Sequence, residues 1–265
     1  MRWQLVAVVG LLLTTAGCTG FADFGSEATP VTPAPVPTER AEARTPALPA
    51  GVTDAGLQQT DRLVAAHRQA LANRSYTFNE LYSQRQAAGT DGERLHRSET
   101  TRVTGVSTYR HELVRQTMLV NGSVRRYAQS TYGDGTHWYE RQSEDGDVRY
   151  TAGTIRFTSD QFAYESAFYV EQYADANWTA NGWVRRDGER YYRIRGVGGR
   201  PPSGVPAKEY RFDMLVGTDG VVHRFEVAYT VGSRVVRYEF WYTGLDETRV
   251  DPPDWLPAAE DATGV

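Results

Sequence analysis

The sequence predicts an α+β fold, in which a single curved antiparallel sheet (a half-barrel) carries two helices on its concave face, after an N-terminal signal and a disordered linker. Three observations lead to this fold class. Most of the chain alternates apolar and polar residues between short glycine turns, as antiparallel strands do. Two segments instead repeat apolar residues at helical spacing. A sheet of about eight to ten strands must also curl to cover its own apolar face.

Residues 1–17 have the order of a secretory signal peptide. Arg2 provides the positive start, residues 5–13 form a short apolar core, and small residues end at Gly17, just before Cys18. The core is shorter than the roughly 20 residues that span a bilayer. We therefore expect export and cleavage between Gly17 and Cys18.

Cys18 is the single cysteine of the chain and stands where a lipid anchor needs it. The run Thr15-Ala16-Gly17-Cys18 resembles the lipobox of bacterial and archaeal lipoproteins, although Thr15 replaces the usual leucine. The resemblance implies a lipid on the Cys18 sulfur and a cell-membrane location, with the protein facing the extracytoplasmic side. An incidental or buried cysteine, or an uncleaved signal anchor, is the alternative.

Residues 18–50 are predicted to be a disordered tether that starts at the lipidated cysteine. Proline, threonine and alanine dominate this stretch, and no apolar period survives in it. Six of the 12 prolines of the chain lie here: Pro30, Pro33, Pro35, Pro37, Pro46 and Pro49. Residues 51–265 are then expected to form the folded antiparallel-sheet domain.

The first helix is predicted from apolar positions that recur on one helical face. These positions are Leu63, Ala66, His67, Ala70 and Leu71. Thr53 or Asp54 is expected to cap its start, and Asn73 stands where it should end.

A meander of hairpins is predicted from about residue 75 to residue 157, because strand-like runs are separated by the turn dipeptides Asn121-Gly122, Asp134-Gly135 and Asp145-Gly146. A second helix is expected at about 159–174, where Thr158 and Gln161 have capping-box spacing. Its apolar stripe is Phe162, Ser166, Tyr169, Val170 and Tyr173, which favours a core position over a cofactor site.

The last three strands show the clearest alternation, with one apolar face and one charged face. The large apolar residues on that face are candidates to line a ligand pocket: Tyr210, Phe212, Phe225, Tyr229, Tyr238 and Phe240. The same residues can equally form a filled core, and the sequence leaves both options open. The proline-rich tail after Asp251 cannot continue the sheet, and Trp255 is expected to pin it to the body.

The sequence contains no recognisable catalytic motif, and we expect a protein that is not an enzyme. The five histidines form no pair at zinc-ligand spacing, no nucleophile motif is present, and no metal or other cofactor is expected. The net charge of −4 argues against nucleic-acid binding. Three sequons, at Asn73, Asn121 and Asn177, are possible glycosylation sites in an exported chain.

The segments LPAGVTDAG (48–56) and LVAAHRQALANRSYTF (63–78), with the lipobox and tether, resemble a family of uncharacterised lipoproteins from halophilic archaea. The acidity typical of halophile proteins is only mild here. The architecture more loosely resembles the LolA/LolB and LppX-type carriers, whose curved sheet and helical lid enclose acyl chains.

These features together predict a non-enzymatic envelope lipoprotein whose half-barrel binds a lipid or another hydrophobic ligand. The alternative is an envelope interaction or scaffold protein that binds a protein partner through its exposed sheet face.

Overall fold

A computed structural model describes residues 46–87, 92–155, 160–174, 176–201, 204 and 206–265 of the chain. Several predicted features lie outside these residues. They are the signal peptide with Gly17, the lipid-anchor residue Cys18, the tether up to residue 45, and Thr158 of the predicted capping box. These features remain predictions.

The described elements, in chain order, are β1 (Val52–Thr53), β2 (Gly56–Leu57), α1 (Thr60–Leu71), β3 (Tyr76–Gln86), β4 (Arg94–Val103), β5 (Thr108–Met118), β6 (Val124–Asp134), β7 (His137–Glu144), β8 (Asp147–Thr154), α2 (Asp160–Tyr173), β9 (Asn177–Arg186), β10 (Glu189–Val197), β11 (Lys208–Gly217), β12 (Val222–Val231), β13 (Arg234–Thr243) and α3 (Leu256–Thr263).

Strands β3 to β13 form one open antiparallel sheet of 11 strands, in the order β8-β7-β6-β5-β4-β3-β13-β12-β11-β10-β9. The predicted α+β class with a curved, unclosed sheet is confirmed. Two meanders build it, β3 to β8 and β9 to β13, and they join where β13 pairs with β3 in the middle. Helix α2 connects β8 to β9, which are the two edge strands.

Helices α1 and α2 pack on the same face of the sheet, which we call the inner face, and the opposite one is the outer face. Alternation along each strand produces the two faces: Tyr76 and Phe78 of β3 are buried on the inner face, whereas Thr77 between them is only half-buried. The predicted second helix agrees with α2, and Val170 of its apolar stripe is fully buried.

The start of α1 differs from the expectation. Thr53 lies in the β1–β2 hairpin, where its hydroxyl oxygen accepts a hydrogen bond from the backbone N–H of Ala55 at 3.2 Å. The helix begins at Thr60, after Gln59, whose side chain makes no capping hydrogen bond. The predicted end is confirmed, because the helix stops at Leu71 and Asn73 adopts a left-handed conformation with φ of 62°.

The C-terminal tail forms helix α3, which the sequence did not predict, and it packs on the outer face of β7 and β8. Ala259 is fully buried against Tyr132 and Tyr139, which project from the outer face. Trp255 packs against Tyr150, with ring centroids 6.4 Å apart. The prediction that Trp255 pins the tail to the body is therefore consistent with these contacts.

A buried hydrogen-bond network around His67 joins both inner helices to the sheet. The backbone N–H of Val222 donates to His67 Nδ1 at 3.1 Å, so the ring proton lies on Nε2, which donates to Ser166 Oγ at 2.9 Å. Tyr242 donates its hydroxyl proton to the same oxygen at 2.7 Å. Burial lowers the pKa of His67 to about 3, which keeps the ring neutral.

Replacing His67 by alanine should destabilise the fold by about 3 kcal/mol, because it leaves a cavity and the buried Val222 N–H without its acceptor. Urea unfolding measures the loss. His137→Ala is the matched control, since that side chain is 38% exposed and lies 4.0 Å from its charged neighbour Asp134. The control should cost less than about 0.5 kcal/mol. Equal losses in the two variants would contradict the importance of the network.

Candidate functional site

All six residues predicted to line a pocket lie on the inner face of β11 to β13. Each is at most 9% exposed. Cross-strand pairing brings Phe225 opposite Phe240, with ring centroids 5.5 Å apart, and Tyr210 stacks on Tyr229 at 5.7 Å. Phe212 stacks on Phe225 at 5.9 Å. The sequence therefore placed them correctly on one apolar surface.

Helix α2 covers this aromatic surface with tyrosines. The ring of Tyr173 lies 5.7 Å from that of Tyr238 and 6.3 Å from that of Phe225. The ring of Tyr169 is closer still to Tyr238, at 4.4 Å. The Tyr210 hydroxyl donates to the Tyr173 carbonyl at 2.6 Å. In this structure the six residues pack as core, so a ligand would reach them only by displacing rings of α2.

A cluster of charged residues continues the inner face beyond the aromatic surface. Glu80 of β3 pairs directly with Glu99 of β4, and both are buried, at 2% and 8% exposure. Arg97 lies between them, with Nη2 3.3 Å from a Glu80 oxygen and Nε 2.8 Å from a Glu99 oxygen. His111 Nε2 lies 3.4 Å from the other Glu99 oxygen. We call Glu80, Arg97, Glu99 and His111 the inner polar cluster.

Carboxyl groups outnumber cations around the inner polar cluster, since Glu165 of α2 also lies near Glu80 and Glu99. Burial, together with the nearby Glu165 and Glu99, raises the pKa of Glu80 to about 8 against the opposing effect of Arg97. Burial lowers the pKa of His111, although Glu99 opposes this. The cluster therefore retains the Glu80 proton at neutral pH.

Tyr238 stands at the border between the aromatic surface and the inner polar cluster. Its side chain is 1% exposed, and its hydroxyl approaches Glu80 without making a hydrogen bond of acceptable geometry. Burial and the Glu80 charge raise the pKa of Tyr238 well above its usual value. A buried hydroxyl without a well-formed bond is energetically unfavourable, so this border is a poorly satisfied part of the core.

On β6 and β7 the inner face is polar and only half-buried. Register places Gln129, Thr131, Glu140 and Gln142 on it, in line with the inner polar cluster. Both Gln129 and Gln142 donate side-chain hydrogen bonds of 2.6 Å to Glu140. The inner face is thus amphipathic, with aromatic residues on one side and ionisable and amide groups on the other.

The sequence-based prediction treated the inner face as apolar and did not identify the inner polar cluster. A signal was present, because Glu80 alternates in phase with Tyr76 and Phe78. Within a single strand, a charged residue at an inward position only interrupts the apolar pattern. Only the pairing of β3 with β4, and of β4 with β5, shows that Glu80 has polar partners there.

Asn73, Asn121 and Asn177 are all exposed, as glycosylation requires. Asn121 also closes the β5–β6 turn, because its side-chain oxygen accepts a hydrogen bond from the Ser123 N–H at 3.0 Å. Whether any of the three carries a glycan remains a prediction.

Within the described residues, no three or more His, Cys, Asp or Glu side chains are grouped so that they could hold a metal ion. The helices in the same part of the chain are too short or too polar to cross a membrane.

No protein-family model matches the chain, and no curated protein matches it. Solved structures do show similarity. The chain is 12% identical to lipoprotein LppX of Mycobacterium tuberculosis, with a TM-score of 0.35 over 73% of this chain and 100% of that one. It is 10% identical to LprF of Mycobacterium bovis, with a TM-score of 0.37 over 73% and 96%.

A LolA superfamily protein of Nitrosomonas europaea is 9% identical, with a TM-score of 0.24 over 74% of this chain and 96% of that one. Sequence identity and TM-score are thus low in all three comparisons, although the matched regions cover most of each chain.

Glu80→Gln should stabilise the protein at pH 8.5, and the gain should shrink towards pH 5. Since the pKa of Glu80 is about 8 in the fold and 4.5 otherwise, the folded state holds this proton more tightly. The stability that this tighter proton binding contributes is fully present below about pH 4.5 and is lost as the pH rises through 8. Urea unfolding across this pH range tests the prediction.

Glu112→Gln is the control, because Glu112 is 36% exposed on the outer face and pairs with Arg110 and Arg102. It should bring no pH-dependent gain. A Glu80→Gln profile parallel to that of the unchanged protein would contradict the raised pKa.

Phe225→Ala should cost about 3–5 kcal/mol of stability, because the ring is fully buried among Phe212, Phe240 and Tyr173. Val197→Ala, at a position 53% exposed, serves as control and should cost less than about 0.5 kcal/mol. Chemical denaturation measures both. A loss below about 1 kcal/mol at Phe225 would mean that the aromatic surface is not packed as core.

Proposed function

We propose that this chain is a membrane-anchored envelope lipoprotein, without enzymatic activity, that binds a lipid or another hydrophobic ligand on the inner face of its half-barrel. The observation that carries the proposal is the amphipathic inner face, where an aromatic surface and the inner polar cluster lie side by side. An amphiphile, with an apolar chain and a polar head, matches that arrangement. Ligand pockets commonly combine aromatic walls with a few polar groups.

The aromatic side of the inner face would take the apolar chain. Tyr169 and Tyr173 are the rings of α2 that cover it, and both contact Tyr238 at the border. A chain that replaced these rings would gain about 0.8 kcal/mol for each buried CH₂ group. The ligand would therefore compete with α2 for the same surface.

The polar side of the inner face would meet the head of the ligand. Arg97 offers guanidinium donors, and the Gln129–Glu140–Gln142 group offers amide and carboxylate partners in line with it. The Tyr238 hydroxyl at the border lacks a well-formed hydrogen bond and would gain one from a ligand oxygen. These groups fix the orientation in which an amphiphile would bind.

The sequence motif at Gly17-Cys18 supports the anchoring part of this proposal. Cleavage there and lipidation of Cys18 would hold the folded domain at the extracytoplasmic side of the cell membrane, at the end of the proline-rich tether. The tether would keep the lipid-binding domain close to the membrane that contains its ligand.

A second candidate function is an interaction or scaffold protein that binds an envelope protein through the outer face. The observation that favours it is a groove of about 400 Å³, lined by Arg186, Arg193 and Arg224 among others. The charges there are largely paired within the sheet, since Arg193 contacts Asp213 and Arg224 contacts Glu239. Arginines that are already paired within the sheet have fewer hydrogen-bond donors left for a protein partner. We therefore place this function second.

Native mass spectrometry tests the ligand-binding proposal on the full chain carrying Cys18→Ser, which removes lipidation. The protein is purified without detergent and then incubated with envelope lipid extract. We expect a bound mass that leaves on denaturation and fragments as lipid. A bare polypeptide mass would contradict ligand binding, and a stoichiometric protein partner in pull-down would then support the second candidate.

Two substitutions on α2 locate the site in the same experiment. Tyr169→Arg places a charge at the border of the aromatic surface and should abolish the bound mass. Tyr164→Arg is the matched control, because Tyr164 is 55% exposed on the same helix, and it should retain the ligand. Circular dichroism verifies that both variants fold. Retention of the ligand by a folded Tyr169→Arg variant would exclude the inner face as the site.

A further inference from the structure

The end of the β5–β6 hairpin exposes a compact group of apolar side chains. Val120 is 71% exposed, Val124 54% and Met118 40%, and Met118 pairs directly with Val124 across the two strands. We call Met118, Leu119, Val120 and Val124 the apolar tip. Single exposed apolar residues need no explanation, but several grouped on one turn indicate a contact surface.

The turn that carries the apolar tip is well ordered by hydrogen bonds. The Leu119 N–H donates to the Ser123 carbonyl at 2.8 Å, and the Gly122 N–H donates to the Leu119 carbonyl at 2.9 Å. Asn121 accepts bonds from both the N–H and the hydroxyl of Ser123. The apolar side chains are therefore held outward by a closed turn.

The apolar surface extends from the tip onto the neighbouring strands. A shallow groove of about 260 Å³ is lined by Met118 and Val124 together with Leu95 and Arg94 of β4. The patch thus spans the ends of several strands at one end of the sheet, which is broader than a single side chain.

Arginines surround the apolar tip. The hairpin segment 113–128 contains Arg115, Arg125 and Arg126 and no acidic residue, and all three arginines are exposed. Arg85 and Arg94, also exposed, lie at the adjacent ends of β3 and β4. Four acidic residues also lie at this end of the sheet: Glu93 precedes Arg94, and the β7–β8 turn carries Glu144, Asp145 and Asp147. The Asp145 side chain accepts the backbone N–H of Arg126 at 3.3 Å.

The turns at the opposite end of the sheet have a different character. The β4–β5 turn exposes one apolar residue, Val106, and the β6–β7 turn carries Asp134. Asp134 accepts hydrogen bonds from the backbone N–H groups of Thr136 and His137. Exposed apolar side chains grouped with arginines therefore mark the β5–β6 hairpin and contrast with these turns.

We propose that the apolar tip inserts into the interface of an anionic lipid bilayer while the surrounding arginines contact the lipid phosphates. Exposed apolar side chains bind at the boundary of the acyl chains, and arginine binds phosphate with paired donors. Anionic headgroups supply the charge complementary to the five arginines. This contact goes beyond the proposed ligand binding, because it directs one end of the half-barrel onto the membrane surface.

A fluorescent probe at the tip tests the proposal directly. The full chain carrying Cys18→Ser and Val124→Cys is labelled at residue 124 with the environment-sensitive dye NBD. Vesicles of phosphatidylcholine with phosphatidylglycerol should shift its emission to the blue and raise its intensity severalfold. Val106→Cys in the same background is the matched control, because both valines are 54% exposed, and its emission should not shift.

The charge requirement is tested by Arg125→Glu combined with Arg126→Glu, which should remove the shift at residue 124. Arg125→Lys with Arg126→Lys should retain most of it, because the charge is kept. Pure phosphatidylcholine vesicles should give a much smaller shift. No shift at residue 124 with anionic vesicles, or an equal shift at residue 106, would overturn the proposal.

The experiments distinguish the proposed ligand binding on the inner face from the proposed membrane contact of the apolar tip. A Tyr169→Arg variant that has lost its bound lipid should still show the blue shift at residue 124, because the apolar tip lies apart from the inner face. A protein that binds lipid on the inner face but shows no shift at the tip would overturn this inference alone. Shift without any bound lipid would overturn the proposed ligand instead.

Discussion

The position of the helices over the sheet depends on one buried histidine. His67 accepts from the backbone of β12 and donates to Ser166 of α2, whose oxygen also receives the Tyr242 hydroxyl of β13. Ser166 in turn donates to the Ala163 carbonyl at 3.1 Å. Each polar atom in this network has a partner, so burial of a neutral ring costs little. The network fixes where α1 and α2 lie on the inner face.

With the helices fixed in this way, the inner face divides into two halves of different chemistry. Under α2 the rings of β11 to β13 interlock with Tyr169 and Tyr173. At the flank of α2, Glu165 meets Glu80 and Glu99 with one arginine between them. Three carboxylates cannot all ionise cheaply in a buried site, and a raised pKa of Glu80 is the result. The same amphipathic division is the basis of the proposed binding of an amphiphilic ligand.

Much of the sheet could be predicted from its residues, because alternation and turn chemistry are local. Asn121-Gly122 marks a tight hairpin turn, which is closed by the hydrogen bond from the Gly122 N–H to the Leu119 carbonyl. Asn73 ends a helix because asparagine tolerates positive φ. The α2 stripe was visible at helical spacing. Helix α3 was not, because its few apolar residues are held by Tyr132 and Tyr139, about 120 residues earlier in the chain.

The sequence by itself determined most of the strand segments and the apolar side of β11 to β13. Only the tertiary structure decided that β13 pairs with β3, which joins the two meanders into one open sheet. It also decided that Glu80 faces Glu99 and Arg97 on the inner face. The physical reason is that alternation and turns depend on neighbouring residues. Strand order, and the charges it places side by side, depend on contacts between residues far apart in the chain.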